Sequence, residues 1–329
     1  MRSRYNLTII ERTWQLADAF VIARGAKTST TTLEVQLSDG SFMGRGECVP
    51  SGSNHEDLAM VKADLQNAAL SFEAGANPGD VIAAMVTGTG RSAVDCALWD
   101  FRAKQADKRV WDLVQIPVRS TVSSCVSIGI GSPSDMASKA VLLRNFSTLK
   151  LKLLGTGDIE RIAAVRSVRP DATIIVDANE SWSPAYLQTS LPELEALGVA
   201  LLEQPLPRDA DDSLCEIDRC VPICADESFR NAFDLPNLVG KYDFLNIKLE
   251  KAGGLTSALE AARKASDLSF RLMVGCMVGT SLNVAPARLL AELCEFCDLD
   301  APLLLAQDRK NALAINSGLV GLPHQALWG

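Results

Sequence analysis

From residue 150 onward, ionisable side chains recur along this chain at intervals of 22–26 residues, each beside a short apolar run. Two lysines alternate with leucine, three carboxylates follow, and one more lysine ends the series: Lys150, Lys152, Asp177, Glu203, Asp226 and Lys248. Three carboxylates in one place repel each other unless a cation lies between them, and ligation by oxygen alone suits Mg²⁺. Amines on either side of that cation are groups that can remove a carbon-bound proton and return another. The pattern predicts metal-assisted proton transfer at carbon.

Taken singly, each of these residues has a simpler structural explanation. The alternation of leucine and lysine over residues 149–153 is typical of a strand with one solvated face. Asp177 and Asp226 could each cap the helix that follows, and Glu203 could be an ordinary charge at a strand end. The functional interpretation therefore depends on whether the fold brings all of them to one site.

The elements that would position these residues are short strands that alternate with amphipathic helices. We predict eight strands: Thr121–Ile128, Thr148–Leu153, Thr173–Val176, Val199–Leu202, Pro222–Cys224, Phe244–Ile247, Arg271–Val274 and Phe296–Leu299. Helical periodicity lies between them, at Asp158–Val168, Pro184–Leu197 and Thr256–Leu268. This α/β pattern predicts a (β/α) barrel of the modified TIM type, with its catalytic groups at the carboxyl ends of the strands. Barrel strands are covered on both faces, so Lys150 and Lys152 would face the open mouth, with Lys248 across from them.

The first 118 residues have a different pattern, which predicts an α+β capping domain. Three strands between Tyr5 and Cys48 are separated by turn signals at residues 24–25 and 39–40, as in an antiparallel meander. Helical periodicity follows up to about Phe72 and again over residues 79–86 and 91–104. We therefore expect a cap at 1–118, a barrel with the catalytic site at 119–302, and a tail at 303–329 that packs back on the cap.

The composition limits which cellular compartment and which binding partners we expect. The net charge is −8 with no local basic patch, so we expect neither nucleic acid nor an anionic membrane as a partner. Apolar runs are too short to cross a bilayer and the first residues lack a signal-peptide core, which indicates a cytoplasmic protein. Nine cysteines without a compact framework fit a reducing compartment, and the presence of only two histidines disfavours a zinc site. The oligomeric state stays open, a homo-oligomer included.

Longer motifs around the same residues resemble the enolase superfamily, in its muconate-lactonizing-enzyme-like subgroup. They run through the whole chain: residues 91–100 (RSAVDCALWD), 176–182 (VDANESW), 202–207 (LEQPLP), 223–228 (ICADES), 246–249 (NIKL) with Gly253 and Gly254, and 275–277 (GCM). Within the subgroup, the sequence Asp298-Leu-Asp300 is similar to that of dipeptide epimerases of the L-Ala-D/L-Glu type.

The resemblance implies a metal site and two bases. One Mg²⁺ per site would be held by the three carboxylates, with support from Asn179 and Glu227, for both of which helix capping is the alternative. Lys152 and Lys248 would be the bases that remove and return the α-proton of the C-terminal residue of a dipeptide. Lys150 would add positive charge beside the substrate carboxylate.

The resemblance also implies how the substrate is held. Asp298 and Asp300 would bind the free ammonium of the dipeptide, and Arg24 would pair with a glutamate side chain, with a solvated hairpin charge as the alternative for Arg24. Cys276 and Met277 would contribute to the same substrate site. Such enzymes belong to cell-wall peptide metabolism.

Two cap loops, near residues 18–27 and 49–56, would select the substrate side chain. In the second loop, residues 51–55 (SGSNH) replace the Tyr- and Arg-containing sequence expected of enterobacterial relatives, so the preferred dipeptide stays open. The same lysines would also serve an N-succinylamino acid racemase, an o-succinylbenzoate synthase or a cycloisomerase. A catalytically silent ligand-binding barrel is the alternative from another class.

Overall fold

The computed structural model describes residues 5–50 and 56–329, and no helix in these ranges is long and apolar enough to cross a membrane. The chain begins with a three-stranded antiparallel sheet, as its turn signals predict. The strands pair in the order β1 (Asn6–Ile22), β2 (Gly25–Ser38) and β3 (Met43–Cys48). Four helices follow: α1 (Leu58–Glu73), α2 (Pro78–Ala84), α3 (Thr89–Ala106) and α4 (Val110–Val114).

Helix α3 lies directly against β3 because two glycines leave room for its backbone. A Cβ atom on Gly44 would lie 2.1 Å from the carbonyl oxygen of Ala97, and one on Gly46 would lie 2.0 Å from that of Ala93. Both distances are far below van der Waals contact, so a side chain at either position would force the sheet and the helix apart. The close approach fixes the sheet on α3.

Eight parallel strands in sequence order form the barrel, which confirms the predicted fold class. After β4 (Thr121–Ser123), its strands are β5 (Val126–Ile128), β6 (Thr148–Lys152), β7 (Thr173–Asp177), β8 (Val199–Glu203), β9 (Ile223–Ala225), β10 (Phe244–Ile247), β11 (Arg271–Gly275) and β12 (Phe296–Asp298). Ladders join each strand to the next from β5 to β12. Between the last strand and the first, the amide of Cys125 donates to the carbonyl oxygen of Cys297 at 2.8 Å, which nearly closes the barrel.

Helices surround the strands and bury their apolar faces against them. They are α5 (Pro133–Leu142), α6 (Asp158–Val168), α7 (Pro184–Ala196), α8 (Leu235–Leu238), α9 (Leu249–Ala252), α10 (Leu255–Asp267), α11 (Ser281–Leu290) and α12 (Ala301–Leu304). Outward-facing strand residues such as Leu149 and Leu151 share one large core with helix residues such as Ile162. The predicted bounds of α6 match, those of α7 differ by one residue at the carboxyl end, and those of α10 differ by one residue at each end.

The predicted first barrel strand, Thr121–Ile128, is wrong as a single element. Only its second part, β5, belongs to the barrel. Its first part, β4, pairs outside the barrel with β14 (Leu319–Gly321), which forms a hairpin with β13 (Ile315–Asn316). Ser124 lies at the break, where its amide donates to the carbonyl oxygen of Gly318 at 2.7 Å. The alternating pattern of both halves is the same, so periodicity could not show that they pair with different sheets.

Polar contacts join helix α3 of the cap to the C-terminal tail and to the barrel. The indole of Trp328 donates to the carbonyl oxygen of Cys96 at 3.0 Å, and the amide of Gly329 donates to Asp100 at 2.7 Å. On the same helix α3, Asp95 accepts from the amide and the hydroxyl of Thr256 at 2.9 and 2.6 Å, at the start of α10. The cap is therefore tied both to the C-terminal tail and to the barrel.

Candidate active site

The interior of the barrel changes from apolar to charged along its axis. Near the amino ends of the strands it is filled by a small apolar cluster, namely Ile175, Leu201, Cys224, Phe244 and Met273. At the carboxyl ends, the register sets Lys152 beside Asp177 and Asp177 beside Glu203. We call the charged end the barrel mouth, defined by Lys150, Lys152, Asp177, Glu203, Asp226 and Lys248. The fold thus brings to one place all six residues that the sequence singled out.

Lys150 lies at the bottom of the barrel mouth and is completely buried. Its ammonium is 2.7 Å from Asp298, 2.7 Å from Glu203 and 3.3 Å from Asp177. Burial opposes the charge on Lys150, but these carboxylates outweigh that cost and raise its pKa well above the ordinary value. Lys150 is therefore a fixed positive charge enclosed by acids.

Lys152 and Lys248 lie higher in the mouth, on strands that are not neighbours. The ammonium of Lys152, at the end of β6, is 2.6 Å from Asp177. The ammonium of Lys248, directly after β10, is 2.6 Å from Asp226. Burial opposes the charge on Lys248, but Asp226 and Glu203 raise its pKa. Each of the two predicted bases is thus held by one of the predicted metal ligands.

The three carboxylates differ in their electrostatic surroundings. Burial and the negative charge of Asp177 raise the pKa of Glu203 to about 7. For Asp226 burial acts in the same direction, but Lys248 and Lys251 outweigh it and hold the pKa well below the ordinary value. Several carboxylates that are buried side by side in this way need cations among them.

The chemistry of the donors in the mouth fits a divalent cation. Among the residues predicted to hold or support the metal, three oxygens are buried without a hydrogen bond: Glu203 Oε2, Asn179 Oδ1 and Glu227 Oε2. Glu203 Oε2 is 2.7 Å from the ammonium of Lys150 but without hydrogen-bond geometry. In this structure the lysine ammoniums contact the carboxylates directly. Within residues 5–50 and 56–329, no group of three Asp, Glu, His or Cys side chains has the arrangement of a metal site. These oxygen donors suit a divalent cation, and in this structure the lysine ammoniums balance the negative charge of the carboxylates.

A cavity of about 320 Å³ opens above the barrel mouth, between the barrel and the cap. Lys152, Lys248 and Asp226 line it, whereas Lys150, Asp177 and Glu203 lie beneath its surface. The cap closes the opposite side with a surface that we call the cap wall: Phe20, Ile22, Arg24, Gly25, Ala26, Lys27 and Val49. The size is that of a small-molecule site, with the two predicted bases on its floor.

Asp298 and Asp300 lie at one edge of the cavity, after β12. Asp298 is engaged by Lys150 and also accepts from the thiol of Cys125 at 3.3 Å. Asp300 accepts from the amide of Ser127 at 2.6 Å. Burial and the charge of Asp298 raise the pKa of Asp300 to about 7. Two adjacent acids on the cavity wall can bind a cationic group of a ligand.

Cys276 and Met277 line the cavity beside these acids, and the thiol of Cys276 donates to the carbonyl oxygen of Asp298 at 3.2 Å.

Asn179 and Glu227 also line the cavity, and the side-chain amide of Asn179 donates to Glu227 at 3.4 Å. Neither of these two residues caps a helix, because the next helix caps are Ser183 and Asp234. The alternative explanation offered for Asn179 and Glu227 is therefore wrong.

Arg24 reaches from the cap wall to the barrel and is paired there. Its guanidinium lies 2.6 Å from Glu227 and 3.1 Å from Glu180. Burial opposes the charge on Arg24, but the neighbouring acids, Glu227 first, raise its pKa. It is therefore not a solvated hairpin charge. The predicted specificity loop at 49–56 falls largely on residues 51–55, which lie outside the described residues.

Three residues of the site were not found from the sequence. Lys251 is one turn after Lys248 and its ammonium is 2.5 Å from Asp226, so the i, i+3 spacing was an available signal. Lys27 lines the cavity beside Arg24; it lies within the predicted specificity loop near residues 18–27 but was not assigned a role of its own.

Gln204, the third residue, is buried and organises the segment that carries Asp226. Its side-chain oxygen accepts from the amides of Asp226 and Ser228 at 2.9 and 3.1 Å, and its nitrogen donates to Leu206 and Tyr242 at 2.9 and 3.0 Å. A primary amide is needed here because it both donates and accepts. No charge or periodicity marks such a residue in a sequence.

Comparison with known proteins gives the family. Residues 4–114 match the family model of the mandelate racemase/muconate lactonizing enzyme N-terminal domain, and residues 134–326 match that of the enolase C-terminal domain-like family. The chain is 39% identical over 312 residues to the L-Ala-D/L-Glu epimerase of Escherichia coli, with 94% of this chain and 97% of the relative covered. It is 37% identical to the N-acetyl-D-glutamate racemase of Pseudoalteromonas, with 90% and 94% covered.

Solved structures agree in fold over almost the whole chain. An enolase family member from Agrobacterium tumefaciens with homology to dipeptide epimerases, with bound sodium and L-Ala-L-Glu, superposes with a TM-score of 0.96 at 40% identity, covering 99% of this chain and all of that one. The dipeptide epimerase of Enterococcus faecalis, in complex with Mg and L-Leu-L-Tyr, gives a TM-score of 0.90 at 27% identity, covering 96% of each chain. The chain is thus an isomerase that belongs to the mandelate racemase/muconate lactonizing enzyme family of the enolase superfamily, within its dipeptide epimerase group.

Proposed function

We propose that this protein is a Mg²⁺-dependent epimerase that inverts the α-carbon of the C-terminal residue of a dipeptide by proton transfer between two lysines. The observation that carries the proposal is the division of the lysines by the cavity. Lys152 and Lys248 line it from strands β6 and β10, while Lys150 is buried below. Two amines that reach one cavity from different strands can act on the two faces of the same carbon.

The chain's own residues supply the acid–base steps. One of the two lysines, as the free amine, takes the α-proton from one face of the substrate, and the other, as the ammonium, delivers a proton to the opposite face. Lys150, whose charge is fixed by three surrounding acids, stabilises negative charge on the substrate carboxylate. The net result exchanges one C–H bond for another with inverted configuration.

Asp177, Glu203 and Asp226 would hold Mg²⁺, with Asn179 and Glu227 beside them. The ion supplies positive charge next to the substrate carboxylate, which makes the adjacent C–H more acidic. The buried oxygens of Glu203, Asn179 and Glu227 that lack a hydrogen bond support this assignment. The magnesium complex of the Enterococcus faecalis relative supports the choice of metal.

The ends of the cavity suggest the substrate. Asp298 and Asp300 would bind the ammonium of the dipeptide, Arg24 on the cap wall would pair with an acidic side chain, and Cys276 and Met277 would contribute to the same substrate site. L-Ala-D/L-Glu is our first candidate, because it is the substrate named for the Escherichia coli relative and L-Ala-L-Glu is bound in the Agrobacterium tumefaciens structure. With this substrate the enzyme would serve cell-wall peptide metabolism in the cytoplasm, and its nine free cysteines fit that reducing compartment.

The proposal is tested by incubating the purified protein with L-Ala-L-Glu and Mg²⁺ in D₂O. We expect deuterium at the α-carbon of glutamate by mass spectrometry and L-Ala-D-Glu by chiral chromatography. A panel of other L,L-dipeptides is run in parallel to define the preference. The proposal would be refuted if no dipeptide in the panel exchanged its α-proton, or if exchange were unaffected by EDTA.

A second candidate is racemisation of an N-acylated glutamate, which is favoured by the 37% identity to the Pseudoalteromonas racemase. The same lysines would act, but the substrate has no ammonium for Asp298 and Asp300. Comparing kcat/KM for N-acetyl-glutamate and for L-Ala-L-Glu separates the two functions. A higher value for the N-acyl compound would replace the dipeptide proposal.

A further inference from the structure

The cationic side chains that line the cavity differ in whether an acid faces them. In the described part of the chain there are five of these side chains: Arg24, Lys27, Lys152, Lys248 and Lys251. Four of them are ion-paired: Arg24 with Glu227 and Glu180, Lys152 with Asp177, and both Lys248 and Lys251 with Asp226. A cation that is already paired offers a ligand little net attraction.

Lys27 is the exception on this wall. None of the carboxylates in residues 5–50 and 56–329 forms an ion pair with it, and the undescribed residues 1–4 and 51–55 contain no Asp or Glu. It stands near the start of β2, opposite Phe20 in the β1–β2 ladder. Although its side chain is solvent-accessible, partial desolvation and the charge of Arg24 lower its pKa, so an anion in the cavity would be a favourable partner.

Arg24 alone is a poor site for an anion as the structure stands. Its guanidinium is already paired with Glu227 and Glu180, and Glu180 is also paired with Arg208 at 3.3 Å, so the four charges balance and leave no free positive charge. An incoming carboxylate would have to compete with both acids for Arg24 unless a second cation were close by. Lys27, on the same hairpin of the cap wall, supplies that charge without an acid of its own.

We propose that Lys27 is a specificity-determining residue that, together with Arg24, binds the side-chain carboxylate of the substrate. The inference rests on the proposed function and narrows its substrate class to dipeptides whose epimerised residue is acidic. Lys27 belongs to the cap wall and not to the barrel mouth that carries the two predicted bases. It therefore acts on substrate binding, and the proton transfers stay with Lys152 and Lys248.

The test compares an acidic dipeptide with its neutral isostere. Steady-state kinetics are measured for L-Ala-L-Glu and L-Ala-L-Gln with the wild type, Lys27→Met and Lys27→Arg. For Lys27→Met we expect KM for L-Ala-L-Glu to rise about tenfold with kcat nearly unchanged, because one charged contact is lost. KM for L-Ala-L-Gln should not change, and Lys27→Arg should keep the preference of the wild type.

A matched control removes the same charge far from the cavity. Lys139→Met, on the exposed surface of α5, should leave both KM values as they are. Thermal unfolding of each variant shows whether it is folded, and Lys27→Gln replaces Lys27→Met if the latter is not. Equal changes for the two dipeptides, or no change for either, would overturn the assignment of Lys27.

Binding is measured separately, by calorimetry of the same two dipeptides with the Mg²⁺-loaded protein. If L-Ala-L-Glu binds more tightly than L-Ala-L-Gln only when Lys27 is present, but its α-proton never exchanges, then the Lys27 assignment holds and the proposed function fails. If dipeptides are epimerised with the same preference after Lys27→Met, the proposed function holds and the Lys27 assignment fails.

Discussion

The barrel mouth and the cap wall present charge to the same cavity in opposite ways. In the mouth, Lys150, Asp177 and Glu203 are 0% exposed, and each ammonium lies on one or more carboxylates. On the cap wall the Arg24 side chain is 37% exposed, and Lys27 has no acid beside it among the described residues. Removing one partner of a buried pair leaves the other uncompensated at low dielectric, while Lys27, which is exposed and has no ion-pair partner among the described residues, carries no such penalty. We therefore expect the mouth to determine the chemistry and the cap wall to vary with the substrate.

The largest effect should follow from removing either base in the mouth. Lys152→Ala and Lys248→Ala should each lower kcat for epimerisation by about a thousandfold or more, because each removes one of two obligatory proton transfers. Each variant should still exchange the α-proton of one stereoisomer in D₂O, since the remaining lysine faces that proton. The measurement is deuterium incorporation into L-Ala-L-Glu and L-Ala-D-Glu separately.

The control for the two lysine variants is Lys139→Ala, which alters a lysine on the outer surface. Full epimerisation by both Lys152→Ala and Lys248→Ala would contradict the two-base scheme. If instead both variants exchanged the same stereoisomer, the two lysines would lie on one face of the substrate.

The next effect concerns the carboxylates below the cavity. Glu203→Gln keeps the size of the side chain and removes its charge, so it should weaken Mg²⁺ binding and lower activity at moderate Mg²⁺ by about a hundredfold. The rise in melting temperature that Mg²⁺ gives the wild type should shrink in the variant. Glu193→Gln, on the outer helix α7, is the matched control. An undiminished thermal shift by Mg²⁺ in Glu203→Gln would remove Glu203 from the metal site.

The same contrast between mouth and wall explains how much the sequence could predict. Asp177, Glu203 and Lys248 were found because parallel strands place their carboxyl ends together, so spacing along the chain becomes nearness in space. The role of Gln204 could not be found, because it depends on hydrogen bonds between loops whose paths no periodicity encodes. Lys27 was missed because its environment depends on how the cap packs on the barrel. The division of residues 121–128 was missed because it depends on pairing with the distant strand β14.

On the cap wall, Arg24→Gln should change substrate preference rather than chemistry. It removes the cation paired with the buried Glu227 and with Glu180, of which only Glu180 keeps another ion pair, with Arg208. We expect the ratio of kcat/KM for L-Ala-L-Glu to that for L-Ala-L-Gln to fall about thirtyfold, with Arg24→Lys in between. An equal loss with both dipeptides would mean that Arg24 serves only to hold the cap hairpin on the barrel.

The smallest effect should be a pH dependence of substrate binding at Asp300, which belongs to the edge between mouth and wall. Its pKa is raised from an ordinary 3.8 to about 7 by burial and by Asp298, so it is ionised above about pH 7 and neutral below it. A neutral Asp300 attracts an ammonium less strongly than an ionised one. As the pH falls from 7.5 to about 6, Kd for L-Ala-L-Glu at saturating Mg²⁺ should therefore rise up to about tenfold. The amine of the dipeptide stays protonated over this range. N-acetyl-L-Ala-L-Glu, which lacks the ammonium, should show no such rise, and Asp300→Asn should abolish the rise for L-Ala-L-Glu. The same pH dependence for the acetylated ligand would place the titrating group elsewhere in the mouth, and would leave Asp298 and Asp300 without a role in recognising the amine.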